Sequence, residues 1–144
     1  MAANREATGL AVLRVLLGVF FLFEGINKWP WLFDHAPLAA RLQEWLPSAF
    51  SANRWYLSTV CLPWVHVFAR LVMLGELAGG LALIFGVWTR LTAALTFLMV
   101  LNFLFASGAL FQYRFLTNGY GLPVLGGLLA LAIGGARLPW SLRR

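Results

Sequence analysis

The sequence predicts an all-α integral membrane protein: a bundle of four transmembrane helices with a short amphipathic helix in the first loop. Of its 144 residues, 61% are hydrophobic and only 11% are charged, whereas a soluble domain typically has about 45–50% apolar and about 25% charged residues. Four apolar runs approach the roughly 20 residues that a helix needs to cross a bilayer. These runs and their loops use up the chain, so a single membrane domain is expected over residues 1–144.

The first span is predicted over residues 8–29, and three charged side chains interrupt it. Arg14 lies about a turn and a half from its start, so the long stem can bring the guanidinium to the lipid headgroups. Glu24 and Lys28 are four residues apart, which places them on one helix face where they can pair. A Trp-Pro-Trp sequence follows and predicts that the helix ends at a membrane interface.

The connection over residues 32–63 is the longest in the chain and predicts a short amphipathic helix. After Pro37, apolar residues recur at helical spacing as Leu38, Leu42, Trp45 and Leu46. Such a helix lies on the membrane surface, and Pro47 is expected to end it. A structured connection of this length is interpreted as a lid or a docking surface. The alternative is a cap that seals the end of the bundle.

Three further spans are predicted over residues 64–88, 91–113 and 120–136. The second span contains Arg70 and Glu76, and the third has Asn102 near its middle. The fourth is short and rich in glycine, which favours close packing against other helices. An ionised group in the middle of a membrane costs at least about 2.5 kcal/mol on insertion scales. Each charged residue therefore needs a partner, a cavity or a proton.

Depths counted at about 1.5 Å per residue predict which of these groups meet. Counted from the predicted outer ends, Glu24 and Arg70 both lie about 8–9 Å deep. This predicts an ion pair between the first two spans, with Lys28 as a second cation above it. Counted from the inner ends, Glu76 and Asn102 both lie about 16–18 Å deep. Asn102 is therefore expected to be the nearest polar neighbour of Glu76.

Glu76 is the candidate catalytic residue, because no cation in the sequence reaches its predicted depth. An acid buried in a membrane is suited to exchange a proton beside a quinone, which is the one cofactor that the sequence suggests. Arg14, Lys28 and Asn102 are the candidate cofactor contacts. The alternative is that Glu76 is a hydrogen-bonded structural acid. A binding role predicts a pocket beside Glu76, and a structural role predicts none.

The remaining composition excludes several classes of function. The net charge of +6 comes mostly from segment ends and loops, where basic residues meet lipid headgroups, so no nucleic-acid partner is expected. Cys61 is the single cysteine, which rules out an internal disulfide and a Cys-x-x-Cys redox pair. No metal-ligand spacing occurs, and only His35 and His66 are available as haem ligands. Neither a metal nor a haem is therefore expected.

The distribution of basic residues predicts the orientation of the helices. Placing both termini in the cytoplasm puts these arginines on the cytoplasmic side: Arg5, Arg14, Arg90, Arg137, Arg143 and Arg144. The other side then holds Lys28, Arg41, Arg54 and Arg114, with Arg70 just inside the membrane. This small excess agrees with the positive-inside rule.

Two short motifs, in this order, resemble the DoxX/DoxD family of small four-helix membrane proteins. The opening helix of that family has an arginine, then Gly-x-x-Phe and Gly-x-x-Lys, matched here by Arg14, Gly18, Phe21, Gly25 and Lys28. Its second motif is a glutamate followed by glycines and Gly-x-x-Thr-Arg, matched by Glu76, Gly79, Gly86, Thr89 and Arg90. The first connection is longer and more aromatic than in the shortest relatives.

The resemblance implies a four-helix bundle in a prokaryotic inner membrane. Named members include the quinone-linked subunit of a thiosulfate:quinone oxidoreductase and a membrane partner of a superoxide dismutase and a sulfurtransferase. The resemblance therefore implies a small membrane subunit of a redox complex that contacts lipids, anchors a protein partner and contributes a quinone site. A non-catalytic structural or assembly subunit of a larger membrane complex is the alternative, because a family defines a fold better than a reaction.

Overall fold

The computed structural model describes residues 2–142, with side chains from residue 5 onward. Six α-helices follow one another in this part of the chain: α1 Ala2–Asn27, α2 Ala36–Trp45, α3 Ser51–Tyr56, α4 Val65–Phe85, α5 Thr89–Ala106 and α6 Leu122–Gly134. No β-strand occurs among these residues, so the prediction of an all-helical protein is confirmed. Arg143 and Arg144, which contribute to the predicted orientation, lie outside the described residues.

Three of the helices are long and apolar enough to cross a membrane, over Arg5–Asn27, Val65–Phe85 and Thr89–Ala106. They correspond to the first three predicted spans, although α5 ends before the predicted boundary because Gly108 turns the chain with a φ of 70°. The fourth apolar helix, α6, has 13 residues and a length of about 20 Å. This is less than the hydrocarbon core of a bilayer, which is about 30 Å thick.

The first connection contains the amphipathic helix that the sequence predicts. Helix α2 carries Pro37 in its first turn and buries Leu38 and Leu42. A short 3-10 turn follows it, and α3 then leads through a π-helical turn at Leu57–Cys61 into α4. The buried face of α2 packs in a hydrophobic cluster with this α3–α4 region. The main core lies elsewhere, chiefly between α1, α5 and α6.

Helices α1 and α4 form the most extensive helix–helix contact, and glycines let their backbones touch. A Cβ atom at Gly80 would lie 2.5 Å from the backbone nitrogen of Leu22, and one at Gly18 would lie 2.7 Å from that of Ile84. Small residues at a membrane helix crossing allow such a close approach. These contacts fix the register of the two antiparallel helices.

This register shifts α4, relative to α1, toward the end of the bundle opposite the chain termini, which we call the outer end. Because Gly25 faces Leu77, the first turns of α4 continue beyond the end of α1 and pack against the 3-10 turn Trp29–Leu32. There Arg70 donates a 3.1 Å hydrogen bond from Nε to the carbonyl oxygen of Leu32. The outer ends of the first two spans therefore lie at different depths, contrary to the prediction that aligned them.

Arg14 is fully buried at the opposite end of the bundle, contrary to the expectation that it reaches the headgroups. Its guanidinium donates to the hydroxyl of Ser141 and, over 2.9 Å, to the carbonyl oxygen of Trp140. The backbone nitrogen of Leu142 donates over 2.9 Å to the carbonyl oxygen of the last residue of α4. The C-terminal segment, residues 137–142, thus folds back over the end of α4 and encloses Arg14.

Replacing Arg14 with methionine is expected to lower the free energy of unfolding by about 2 kcal/mol, because hydrogen bonds from a charged donor are lost. The measurement is the unfolding midpoint in mixed detergent micelles. Arg5→Met removes an exposed arginine from the same helix and should leave the midpoint unchanged. An Arg14→Met variant as stable as the parent would contradict the enclosing role of the C-terminal segment.

Candidate functional site

A cluster of three charged side chains lies toward the outer end of the bundle, the end opposite the chain termini. The Nζ atom of Lys28 lies 2.8 Å from Oε2 of Glu24 and 2.8 Å from Oε2 of Glu76. It also donates to Oε1 of Glu76 over 3.0 Å. The side chain of Glu76 is 7% exposed, that of Lys28 17% and that of Glu24 27%. The Glu24–Lys28–Glu76 cluster therefore runs from the interior of the bundle toward its surface.

Helix spacing and helix register together build this cluster. Glu24 and Lys28 pair because they are four residues apart on α1, and this salt bridge confirms the prediction. Glu76 joins them because the glycine contacts place the end of α1 beside the middle of α4. The predicted pair between Glu24 and Arg70 is not formed, because the same register moves Arg70 past the end of α1. Glu76 thus has a cationic partner, Lys28, that the depth count missed.

Asn102 is not the polar partner of Glu76. Its Oδ1 accepts a 2.7 Å hydrogen bond from the hydroxyl of Tyr56, and it borders a separate cavity of about 20 Å³ beside the buried Cys61. Depth does not fix the direction of a helical side chain. Two positions along a helix correspond to a rotation of about 200°, so Asn102 faces away from the interior that Val100 faces.

The structure therefore brings together two of the four predicted catalytic and cofactor residues, Glu76 and Lys28. Arg14 lies on α1 about 20 Å from Lys28, at the other end of the bundle. Asn102 lies on a different side of α5. Neither of these two can contact a small ligand that rests on the Lys28–Glu76 pair.

A cavity of about 290 Å³ borders the Glu24–Lys28–Glu76 cluster. Its lining comes from α1, α2, α4, α5 and the segment after α5: Glu24, Lys28, Arg41, Trp45, Glu76, Met99, Val100, Phe103, Leu104, Ser107, Ala109, Arg114, Asn118 and Tyr120. A pocket beside Glu76 is expected if this residue helps to bind a ligand, and it is not expected if Glu76 is only structural. We call this space the outer cavity.

The outer cavity has an apolar wall and a basic mouth. Trp45 of α2 and Phe103 of α5 pack edge to face, with ring centroids 6.0 Å apart, and further apolar side chains of α5 extend this wall. Arg41 of α2 and Arg114 of the segment after α5 also line the cavity, and both side chains are exposed. The charged cluster forms the deepest polar surface, which we call the floor.

Sequence reasoning missed Tyr120 and the two mouth arginines, Arg41 and Arg114. Tyr120 packs against Phe20 with ring centroids 5.2 Å apart, and its hydroxyl is a neighbour of the Glu24 carboxylate. The predicted topology places all three residues on the outer side of the membrane, and this was the only indication in the sequence. It does not give the distances between them, because these depend on how the connections fold.

The two histidines lie on the surface rather than inside the bundle. His35 and His66 are exposed, and their ring centroids are 6.4 Å apart. Within residues 5–142, no group of three His, Cys, Asp or Glu side chains is arranged to hold a metal ion.

The outer cavity suits a small polar group attached to an apolar body. Lys28 and Glu76 place an ammonium and a carboxylate in contact on the floor, while Trp45 and Phe103 offer flat apolar surface. Small-molecule sites typically have volumes of roughly 300–1,000 Å³, so a cavity of about 290 Å³ has room for a headgroup of one ring. A carboxylate and an ammonium in contact also allow a proton to be held at this place.

Residues 9–109 match the DoxX family. The chain is 30% identical over 132 residues to the inner membrane protein YqjF of Escherichia coli (strain K12), an alignment that covers 90% of this chain and 86% of that protein. No solved structure shows a significant match. The matched region includes Glu24, Lys28 and Glu76 and ends before Arg114.

Proposed function

The chain belongs to the DoxX family, and we propose that it is a small membrane subunit of a redox complex that binds a quinone headgroup beside Lys28 and Glu76. One observation supports this most directly: a cavity of about 290 Å³ borders a buried ion pair. We propose that the protein lies in a prokaryotic inner membrane, by analogy with YqjF. We also propose that a partner protein supplies the electrons.

The residues of the outer cavity fit a quinone headgroup. A quinone presents carbonyl oxygens on a flat ring, and it therefore needs a hydrogen-bond donor beside an apolar surface. Nζ of Lys28 becomes such a donor at the floor when the N–H group bound to Oε1 of Glu76 turns to the ligand, and the rings of Trp45 and Phe103 border the same space. The largely buried position of Glu76 keeps a carboxyl group within reach of the same place.

A bound quinone supplies a two-electron, two-proton acceptor. Lys28 would orient one carbonyl oxygen by turning toward it the N–H group that it otherwise donates to Oε1 of Glu76. The 2.8 Å contact between Nζ of Lys28 and Oε2 of Glu76 would hold a proton next to that oxygen. Glu24, which is more exposed than Glu76, would return protons from the outer surface.

We further propose that four helices cross the membrane and that both termini lie in the cytoplasm. The short α6 would then be matched by a locally thinner bilayer. In this orientation the outer cavity lies toward the outer face, with Arg41 and Arg114 at its mouth. Arg5 and Arg90 lie toward the cytoplasm, in agreement with the positive-inside rule.

The test is the quinone content of the protein purified from native membranes in mild detergent. The parent is expected to carry extractable quinone in near-stoichiometric amount. Glu76→Gln should reduce this amount at least about tenfold, which corresponds to a loss of about 1.4 kcal/mol of binding free energy. Glu44→Gln is the matched control, because Glu44 is exposed on α2 and does not line the cavity. Val100→Phe fills the cavity without changing its charge and should also remove quinone.

Two results would contradict the proposal. One is a parent protein that carries no quinone. The other is a Glu76→Gln or Val100→Phe variant that retains the parental amount. A parent without quinone that co-migrates with a large membrane complex would instead support the alternative, a non-catalytic structural or assembly subunit.

A further inference from the structure

Two arginines at the mouth of the outer cavity have no partner of their own. Arg41 and Arg114 both line the cavity, and within residues 5–142 neither guanidinium donates a hydrogen bond or forms an ion pair. Four other arginines, at both ends of the bundle, do donate to a carbonyl oxygen of the chain: Arg14, Arg54, Arg70 and Arg90. The two mouth arginines are therefore free to bind a ligand.

The two guanidinium groups come from different parts of the chain. Arg41 lies on α2, in the first connection, and Arg114 lies in the 3-10 helix Tyr113–Thr117 after α5. The fold thus brings two positive charges, far apart in sequence, to the lining of one cavity.

Within residues 5–142, no carboxylate forms an ion pair with either mouth arginine. The acidic residues that line the cavity are Glu24 and Glu76, and both are bound to Lys28 at the floor. With one cation for two carboxylates, the floor carries a charge of −1 when both are ionised, and the two mouth arginines bring the charge of the whole lining to +1. Guanidinium groups bind carboxylate and phosphate through paired hydrogen bonds, which makes such an opening suited to an anion.

We infer that Arg41 and Arg114 bind an anionic group, a phosphate or a carboxylate, at the mouth of the outer cavity. The inference rests on the proposed function in one respect, that the outer cavity is a ligand site. The anionic group belongs either to a soluble small acid or to the headgroup of an outer-leaflet phospholipid. In both cases it would lie beside the floor, where the proposed quinone headgroup binds.

The test measures the tryptophan fluorescence and the thermal midpoint of the protein in nanodiscs. In the first arm the lipid is phosphatidylcholine and phenyl phosphate is titrated, with sodium chloride at equal ionic strength as the reference. In the second arm the soluble anion is omitted and phosphatidylglycerol replaces increasing fractions of phosphatidylcholine. Saturable binding in the first arm identifies a soluble acid as the source of the anion. Stabilisation in the second arm alone identifies a lipid headgroup.

The decisive comparison uses two double variants. Arg41→Gln/Arg114→Gln should weaken the response at least about tenfold, an effect of about 1.4 kcal/mol. Arg5→Gln/Arg137→Gln removes the same charge from exposed positions that do not line the cavity and should respond like the parent. A parent that responds to neither anion beyond the salt reference would overturn the inference. A mouth variant that responds like the parent would do the same.

Quinone content, measured on the same samples, separates this inference from the proposed function. Quinone retained by a parent that binds no anion would reject the anion site alone. A parent that binds phenyl phosphate through Arg41 and Arg114 but carries no quinone would support the anion site and reject the quinone proposal alone.

Discussion

Replacing Lys28 with methionine is expected to lower the free energy of unfolding by about 3 kcal/mol or more, because it leaves Glu76 buried without a cation. Lys28 contacts both Glu24 and Glu76, so the change also leaves two carboxylates close together. The measurement is the unfolding midpoint in mixed detergent micelles. Adding Glu76→Gln to the variant removes the buried charge and should restore part of the lost stability.

Arg70→Met is the matched control for this experiment. The guanidinium of Arg70, on α4, donates a hydrogen bond to a backbone carbonyl. Because Arg70 is exposed to solvent, the loss of its side chain should have little effect on the midpoint. A Lys28→Met variant as stable as Arg70→Met would show that the contacts of Lys28 do not hold α1 and α4 together.

Replacing Gly80 with alanine is expected to cost about 3 kcal/mol, at the upper end of the range for overpacked sites. The added Cβ would lie 2.5 Å from the backbone nitrogen of Leu22 and 2.8 Å from the carbonyl oxygen of Gly18. Both neighbours are backbone atoms, so α1 and α4 must separate. Because the same crossing places Lys28 beside Glu76, we also expect the variant to lose any bound quinone.

Gly126→Ala is the control for the glycine variant. Gly126 lies in α6, and a Cβ atom there would have no heavy atom within 4 Å. The unfolding midpoint of this variant should equal or exceed that of the parent, because alanine favours a helix over glycine. If the two alanine variants have the same stability, the α1–α4 backbone contact is not a determinant of the fold.

The sequence predicts the helices of this protein well, because helix formation in a membrane depends on local features. The length of each apolar run decides whether it can span a bilayer. The periodic spacing of Leu38 and Leu42 predicts which face of α2 is buried, and the structure confirms it. The spacing of Glu24 and Lys28 likewise predicts a salt bridge within one helix.

Contacts between helices were predicted less well, because depth and direction depend on packing. The depth count aligned Trp29 with Trp64, whereas the glycine contacts shift α4 outward. That shift gives Glu76 a partner in Lys28. The prediction for Asn102 had a different fault, since the count gave a depth and no rotation about the helix axis. The outer cavity itself depends on α2 and the segment after α5, whose positions no local pattern specifies.

The enclosure of Arg14 by the C-terminal segment has a consequence for the order in which the protein assembles in the cell. Arg14 is made early, but its acceptors Trp140 and Ser141 follow it by 126 and 127 residues. At about 5–20 residues per second, synthesis from the end of α4 to these acceptors takes roughly 3–11 seconds. The α1–α4 pair is complete in sequence before that time. Helices α1 and α4 can therefore pair some seconds before the acceptors of Arg14 exist, and this buried charge is enclosed only afterwards.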